Sequence, residues 1–220
     1  MLGVYTMGAY FARGWYSVLA QSQVSNREAV PKSGPLIVAS NHLSSWDPTV
    51  LSTAILRPIT FMAKEELFRT PWGWLIFKAL GAIPVNRGRS NLRTFRQAEG
   101  TLAKGKVVCL FPEGGRSREA ALRPGQVGVA YLALSTGAAV LPVGITGTEN
   151  IPNILHFVTR PRITVDIGEV IPVRKSRGPM EREELAELTS LIMRRIAELL
   201  PPEYRGVYGE PVLVGKEMLP

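Results

Sequence analysis

Residues 35–48 read Pro-Leu-Ile-Val-Ala-Ser-Asn-His-Leu-Ser-Ser-Trp-Asp-Pro, and this stretch decides how the chain folds. The apolar run at 35–40 predicts a buried β-strand. Asp47 followed by Pro48 indicates a helix start, with the aspartate as N-cap and the proline at the first helical position. Apolar residues then recur at helical spacing, namely Val50, Leu51, Ala54 and Ile55. The stretch therefore predicts a strand, a bend and a helix in close succession.

The bend lies between two chemically useful side chains, His42 and Asp47. Five steps along a regular helix would leave them about 140° apart, so they can meet only where the chain turns. A carboxylate that holds one imidazole nitrogen leaves the other free to take a proton from a hydroxyl group. The pair is therefore a candidate general base with its orienting carboxylate.

A covalent nucleophile is the alternative to this interpretation. Ser44 and Ser45 lie between the pair, but the Gly-x-Ser-x-Gly nucleophile elbow of many hydrolases is absent. Cys109 is the single cysteine and lies in a predicted buried strand, which favours a place in the core. We therefore expect no covalent intermediate on the protein.

Apolar, β-favouring stretches alternate with helical ones, which is typical of an α/β domain. The chain of 220 residues fits a single domain. His42, Arg87 and Glu113 each follow a predicted strand, and ligands of open α/β sheets bind outside the carboxyl ends of strands. We therefore expect these three side chains at one edge of the sheet. Strands are predicted at 35–40, 59–63, 82–86, 106–111, 139–145 and 162–167, and helices near 3–20, 48–56, 71–80, 90–103, 125–136 and 180–200.

Four segments resemble, in order, the motifs of the glycerolipid acyltransferase family, and in particular its PlsC-type lysophosphatidate acyltransferases. They span residues 41 to 143, and their order is highly specific. The resemblance implies the family's fold, an α/β single domain with a central mixed, mostly parallel sheet flanked by helices, glycerol-3-phosphate acyltransferase-like. The segments are Asn41-His42-x4-Asp47, Gly-Ala-Ile-Pro-Val-Asn-Arg ending at Arg87, Phe-Pro-Glu-Gly-Gly-Arg-Ser starting at Phe111, and Val-Leu-Pro-Val starting at Val140.

The chain departs from the family pattern at two positions. Gly115 stands where the family usually has threonine, so a hydroxyl contact to substrate from that position is missing. Asn86 replaces an aspartate common before the motif arginine, which removes a negative charge beside the expected phosphate site. Neither change touches His42 or Asp47, so the departures bear on the acceptor and not on the reaction.

The resemblance implies transfer of a fatty acyl group from a thioester to the free hydroxyl of 1-acylglycerol 3-phosphate, giving phosphatidate in phospholipid biosynthesis. His42 would be the general base, and Asp47 would orient it. An alternative keeps the fold and the chemistry but acylates another lysolipid, such as a lyso-ornithine lipid or a lysophosphatidylinositol-type acceptor. No cofactor is implied, and the acyl donor is either acyl-coenzyme A or acyl carrier protein.

Further residues are expected to bind substrate. The Arg87 guanidinium can hold two phosphate oxygens at once, and glycines let backbone N–H groups approach a ligand closely. Glu113 is expected either to hold a glycerol hydroxyl or to pair with Arg116, in which case the segment would be a structural turn. The expected set is Asn41, Lys64, Arg87, Glu113, Gly114, Gly115 and Arg116.

The composition indicates an anionic partner. The formal net charge is +8 and the pI is about 9.9, which suits an acidic phospholipid surface, an acidic carrier protein or nucleic acid. No nucleic-acid-binding motif is present, so a non-catalytic basic protein on nucleic acid or lipid is a remote alternative. No cluster has metal-ligand spacing, and no metal is expected.

Two aromatic segments, 3–20 and 71–81, have the composition of a membrane interface. No uncharged apolar run of 18 residues occurs, so no transmembrane helix is expected. We therefore expect a peripheral protein on the cytoplasmic face of the cell membrane. The expected organisation is a membrane-associating segment at 1–30, the acyltransferase domain at 31–202 and a tail at 203–220.

Overall fold

Seven strands form one sheet within the residues that the computed structural model describes, which are 21–71, 82–85, 92–151 and 160–209. The strands are β1 (Gln21–Ser25), β2 (Leu36–Ser40), β3 (Ile59–Lys64), β4 (Ile83–Val85), β5 (Val107–Leu110), β6 (Ala139–Thr146) and β7 (Arg162–Ile167). They lie in the order β1-β7-β6-β2-β5-β3-β4. Each of the six strands predicted from the sequence is found, with bounds within one residue or so of those expected.

The sheet is mixed and mostly parallel, which confirms the predicted fold class. β2 runs parallel to β5 and β6, and β3 runs parallel to β5 and β4. β7 reverses against β6, and β1 runs parallel to β7. Strands β2 to β6 therefore end at the same edge, here named the carboxyl edge, and β1 and β7 begin there.

Four α-helices lie in the described residues: α1 (Asp47–Ala54), α2 (Leu92–Leu102), α3 (Gly128–Thr136) and α4 (Arg182–Glu198). α1 carries the chain from β2 toward β3, whereas α3 carries it from β5 to β6 in the opposite direction along the sheet. Because parallel crossovers are right-handed, the two helices lie on opposite faces. The chain direction switches between neighbours β2 and β5, where open α/β sheets bind their ligands.

Strand β2 is buried on both faces and joins two hydrophobic clusters. Leu36 and Val38 pack in one cluster with Leu51 of α1. Ile37 and Ala39 pack in the other cluster, with residues of α2, α3 and α4. Because successive side chains of a strand alternate between faces, a continuous apolar run is what a strand between two helical layers requires.

The edge strand β1 is not among the predicted strands. Its sequence, Gln-Ser-Gln-Val-Ser, contains no apolar run, and it forms because its backbone pairs along its whole length with β7. The Ser25 hydroxyl also donates to the Asp166 carboxylate. β1 therefore lies inside the segment 1–30 that was expected to associate with the membrane.

The start of the expected tail at 203–220 packs against the domain. Two short 3₁₀ helices, Pro202–Tyr204 and Gly206–Tyr208, follow α4. Their backbone exchanges hydrogen bonds with Leu122 in both directions, at 2.9 and 3.3 Å. Residues 210–220 lie outside the described part of the chain, as do the predicted helix at 3–20 and, beyond Pro71, the helix at 71–80.

Candidate active site

The Asp47 carboxylate is fully buried and accepts four hydrogen bonds. Its Oδ2 accepts from the His42 ring at 2.7 Å and from the backbone N–H groups of Leu43 and Ser44 at 2.7 and 2.8 Å. Its Oδ1 accepts from the Thr148 hydroxyl at 2.6 Å. A buried carboxylate is costly unless its lone pairs are satisfied, and here donors from the bend and from beyond β6 satisfy them.

The His42 ring is held on two sides. Its Nδ1 lies 2.7 Å from Asp47 Oδ2, and its face stacks on Phe111 with centroids 4.0 Å apart and planes inclined by 16°. The side chain remains 15% exposed. With Nδ1 engaged by a carboxylate, Nε2 is the nitrogen that can take a proton from a bound hydroxyl. The arrangement has the geometry of a positioned general base.

The helix start differs in detail from the prediction. The N-cap of α1 is Trp46. The first two helical residues are Asp47 and Pro48, and no side chain caps the helix. The prediction that Asp47 is the N-cap is therefore wrong. Its carboxylate instead accepts from the backbone N–H groups of Leu43 and Ser44 in the bend. The same oxygen contacts the His42 imidazole.

Glu113 lies beside His42 because of the sheet register. β2 and β5 pair in parallel with Leu36 opposite Val107, so residue 42 continues opposite residue 113. Glu113 Oε1 accepts from the His42 backbone N–H at 3.0 Å. Burial raises the pKa of the Glu113 carboxyl above its usual range, and hydrogen bonds from the backbones of His42 and Arg123 partly oppose that rise.

Arg123, and not Arg116, is the cation paired with Glu113. Its Nε lies 3.6 Å from Glu113 Oε2, and its backbone N–H donates to the same oxygen at 3.1 Å. Its guanidinium also donates to the Gly115 carbonyl at 2.7 Å. Arg116 instead donates to the Ser45 hydroxyl at 3.0 Å. Of the two roles expected for Glu113, the pairing with Arg116 is therefore wrong, because Arg123 takes that place.

The turn at 113–116 is closely packed around its glycines. Gly114 has φ +69°, and a Cβ there would meet the Gln126 side chain at 2.2 Å. Its N–H donates to the Phe111 carbonyl at 3.0 Å, which closes the turn behind the ring that stacks on His42. The backbone angle favours glycine at 114, and a side chain there would also have to displace the end of the Gln126 side chain.

Asn41 is engaged within the protein. Its Nδ2 donates to the Ile145 carbonyl at 2.8 Å, and its Oδ1 accepts from the Ile145 N–H at 2.7 Å. The side chain is buried, and both ends of its amide join the end of β2 to β6. We therefore assign Asn41 a positioning role, in place of the substrate contact expected from the sequence.

Two of the expected substrate contacts cannot be placed as side chains. Arg87 lies outside the described residues, together with its neighbour Asn86. Lys64 is the last residue of β3, and its backbone pairs with Val85 at the end of β4. Both strands end at the carboxyl edge, the same edge as His42.

The three side chains weighed as nucleophiles in the sequence, Cys109, Ser44 and Ser45, are all engaged within the protein. Burial raises the pKa of the Cys109 thiol well above its usual range, which leaves it unreactive in the core. The Ser44 hydroxyl accepts from the Trp46 N–H at 3.4 Å, and the Ser45 hydroxyl accepts from Arg116. No group of three or more metal-ligating side chains occurs in the described ranges, and none of the helices there is long and apolar enough to cross a bilayer.

Comparison with known proteins agrees with this fold. The acyltransferase family model matches residues 21–146. The chain is 30% identical over 181 residues to the 1-acyl-sn-glycerol-3-phosphate acyltransferase of Borreliella burgdorferi, covering 80% of this chain and 70% of that protein. It is 27% identical over 179 residues to the Bacillus subtilis enzyme of the same name, covering 80% and 87%.

A solved structure gives the same result. PlsC, the 1-acyl-sn-glycerophosphate (LPA) acyltransferase of Thermotoga maritima, matches with a TM-score of 0.70 at 25% identity, over 89% of this chain and 79% of that one. The chain belongs to the acyltransferase family, and it is an enzyme. The resemblance drawn from the four motifs is confirmed, and the relatives do not favour the lyso-ornithine or the non-catalytic alternative.

Two residues of the site were missed in the sequence. Thr148 follows the predicted strand at 139–145, so the strand-exit argument that selected His42 could have selected it too. Arg123 gives no such signal, because it lies in the loop between β5 and α3 and meets Glu113 only through tertiary folding.

Proposed function

We propose that this enzyme transfers a fatty acyl group from an acyl thioester to the free hydroxyl of 1-acylglycerol 3-phosphate, giving phosphatidate. The observation that carries the proposal is the buried Asp47 carboxylate fixed 2.7 Å from His42 Nδ1 at the carboxyl edge. The names of the Borreliella and Bacillus relatives support the choice of acceptor.

In the reaction, His42 Nε2 takes the proton of the acceptor hydroxyl as that oxygen attacks the thioester carbonyl. Asp47 stabilises the imidazolium that forms. Collapse of the tetrahedral intermediate breaks the carbon–sulfur bond, and the imidazolium returns the proton to the leaving thiolate. The thioester is already activated, so no nucleophile on the protein is needed.

The acceptor phosphate binds at Arg87. β4 ends at Val85 on the carboxyl edge, the edge that also carries His42, and Arg87 comes two residues later in the chain, which supports the choice of this arginine. A guanidinium suits a phosphate because it can donate two parallel hydrogen bonds. Glu113 binds the His42 backbone and Arg123, so its role is to hold the turn. Arg116 is exposed, and it is the better candidate for a substrate contact from this turn.

The enzyme works as a peripheral protein on the cytoplasmic face of the membrane, where its lipid acceptor resides. β1 begins at the carboxyl edge, and the aromatic segment at 3–20 precedes β1 in the sequence. Arg160 and Arg162, both exposed, lie at the start of β7 on the same edge. Basic residues near an anionic leaflet each contribute about 1 kcal/mol. The donor is acyl-coenzyme A or acyl carrier protein, and both are anionic.

The test is an acyl-transfer assay on purified protein. Each donor is offered with 1-acylglycerol 3-phosphate, a lyso-ornithine lipid or lysophosphatidylinositol, and both free thiol and acylated product are measured. We expect thiol release that depends on lysophosphatidate and falls about 10²–10⁴-fold in His42→Ala. A folded His42→Ala protein that keeps more than a tenth of wild-type turnover would contradict the mechanism, and a preference for another lysolipid would contradict the acceptor.

A further inference from the structure

We infer that Thr148 is a positioning residue for acyl transfer, acting through Asp47 on His42. Its hydroxyl donates to Asp47 Oδ1 at 2.6 Å, and both residues are fully buried. The inference rests on the proposed function only in taking His42 as the general base. Among the described residues, Thr148 is the only one that donates a side-chain hydroxyl to the Asp47 carboxylate.

The two carboxylate oxygens have different tasks. Three N–H donors, from His42, Leu43 and Ser44, converge on Oδ2. The Thr148 hydroxyl alone among the described residues engages Oδ1. A carboxylate held only at Oδ2 could rotate about the bond to Cβ, and the imidazole would follow. The Thr148 contact fixes that rotation.

The turn that carries Thr148 is closely packed on both sides. Gly147 has φ +88°, and a Cβ there would lie 2.1 Å from the Arg162 carbonyl oxygen. On the other side, Glu149 Oε1 accepts from the Tyr204 hydroxyl at 2.6 Å. Burial and this hydrogen bond raise the pKa of Tyr204 to about 12. Thr148 therefore lies between two neighbours that both contact other parts of the fold.

The decisive substitution is Thr148→Val, which keeps the shape of the side chain and removes the hydroxyl. Thr148→Ser keeps the hydroxyl and removes the methyl group. Thr189→Val is the matched control, because the Thr189 hydroxyl is also buried and donates at 2.7 Å, but to the Leu185 carbonyl inside α4. Thr148→Ala is a second variant in case the valine protein folds poorly.

We expect kcat to fall about 10- to 100-fold in Thr148→Val and Thr148→Ala, with KM for donor and acceptor nearly unchanged, because misplacing a catalytic group costs rate more than binding. Thr148→Ser should recover most of the rate. Turnover is corrected for the folded fraction measured by denaturant unfolding. Thr189→Val should lose stability with no loss of corrected kcat.

A second readout does not depend on the acceptor. The Nδ1 proton of His42, hydrogen-bonded to Asp47, is followed by proton NMR, and we expect its resonance to shift or broaden in Thr148→Val and not in Thr189→Val. Wild type that is inactive on lysophosphatidate but shows this difference would contradict the proposed acceptor and leave the positioning role supported. Thr148→Val with wild-type kcat and an unchanged resonance would overturn the inference.

Discussion

At the scale of single residues, Asp47→Asn separates the charge of the carboxylate from its shape. The asparagine oxygen can still accept from the three N–H donors, and its amide can donate to the Thr148 hydroxyl, so the fold should survive. The charge that stabilises the imidazolium is lost, and we expect turnover to fall about 10²–10⁴-fold. A folded variant with more than a tenth of wild-type kcat would show that this charge is not needed.

The Arg87→Ala substitution tests the acceptor site. We expect KM for a phosphate-bearing acceptor to rise by the equivalent of about 1.5–3 kcal/mol, with KM for the donor nearly unchanged. Arg87→Lys should recover only part of the loss, since a point charge cannot reproduce the fork of the guanidinium. Arg93→Ala, at an exposed position of α2, is the matched control. Equal losses for donor and acceptor would indicate a structural role.

Glu113→Gln tests the raised pKa of the Glu113 carboxyl. A folded-state pKa above the unfolded value means that ionising the group costs the folded protein free energy, so wild type loses stability as pH rises through that pKa. Glutamine cannot ionise and escapes this loss. We expect the stability of wild type relative to the variant to decrease as the pH rises above about 4, the ordinary pKa of a glutamate, measured by denaturant unfolding. A constant or increasing difference would show that burial does not dominate at Glu113.

At this scale the sequence predicted that His42 meets Asp47 and that Glu113 shares the edge of His42, but it missed two side-chain partners that only tertiary folding brings into contact. His42 and Asp47 are five residues apart, and a bend is enough to join them. Thr148 and Asp47 are 101 residues apart, and their contact exists only once β6 lies beside β2. Glu113 pairs with Arg123 and not with Arg116 because of the conformation of the loop between β5 and α3, which residue spacing does not predict.

At the scale of elements, the segment after α4 is tightly fitted. Gly206 has φ +49°, and a Cβ there would lie 2.1 Å from the Leu122 carbonyl oxygen. Gly206→Ala should therefore destabilise the protein by about 2 kcal/mol or more. Gly178→Ala is the control, because a Cβ there meets nothing within 4 Å, and its effect should stay within about 0.5 kcal/mol. Equal midpoints of thermal unfolding would show that the segment is not held at Leu122.

The elements that the sequence predicted well are those whose burial is continuous. β2 and β5 are buried along their whole length, and their apolar runs marked them. β1 is partly exposed and polar, and its backbone hydrogen bonds to β7 decide its conformation. A strand held mainly by its partner's backbone leaves little trace in its own composition.

At the scale of the whole molecule, the charge of +8 and the aromatic segments predict reversible attachment to a membrane. We expect binding to vesicles that contain anionic lipid, weakened by salt but not eliminated, because salt screens the charges and not the apolar contacts. Deleting residues 1–20 should reduce vesicle binding more than turnover on detergent-dispersed acceptor. Sedimentation without any binding at low salt would contradict the attachment, and equal losses of both activities would place the segment in the core.

The pairing of β1 with β7 also sets an order of events during synthesis. Ser25 bonds to Asp166, 141 residues later, so at typical elongation rates β1 leaves the ribosome roughly 7–30 s before its partner exists. During that interval its backbone donors and acceptors have no strand to pair with, the condition under which nascent chains join one another. Four of the five residues of β1 are polar, so the strand stays hydrated before β7 is made. We expect this polar composition to limit aggregation of the growing chain.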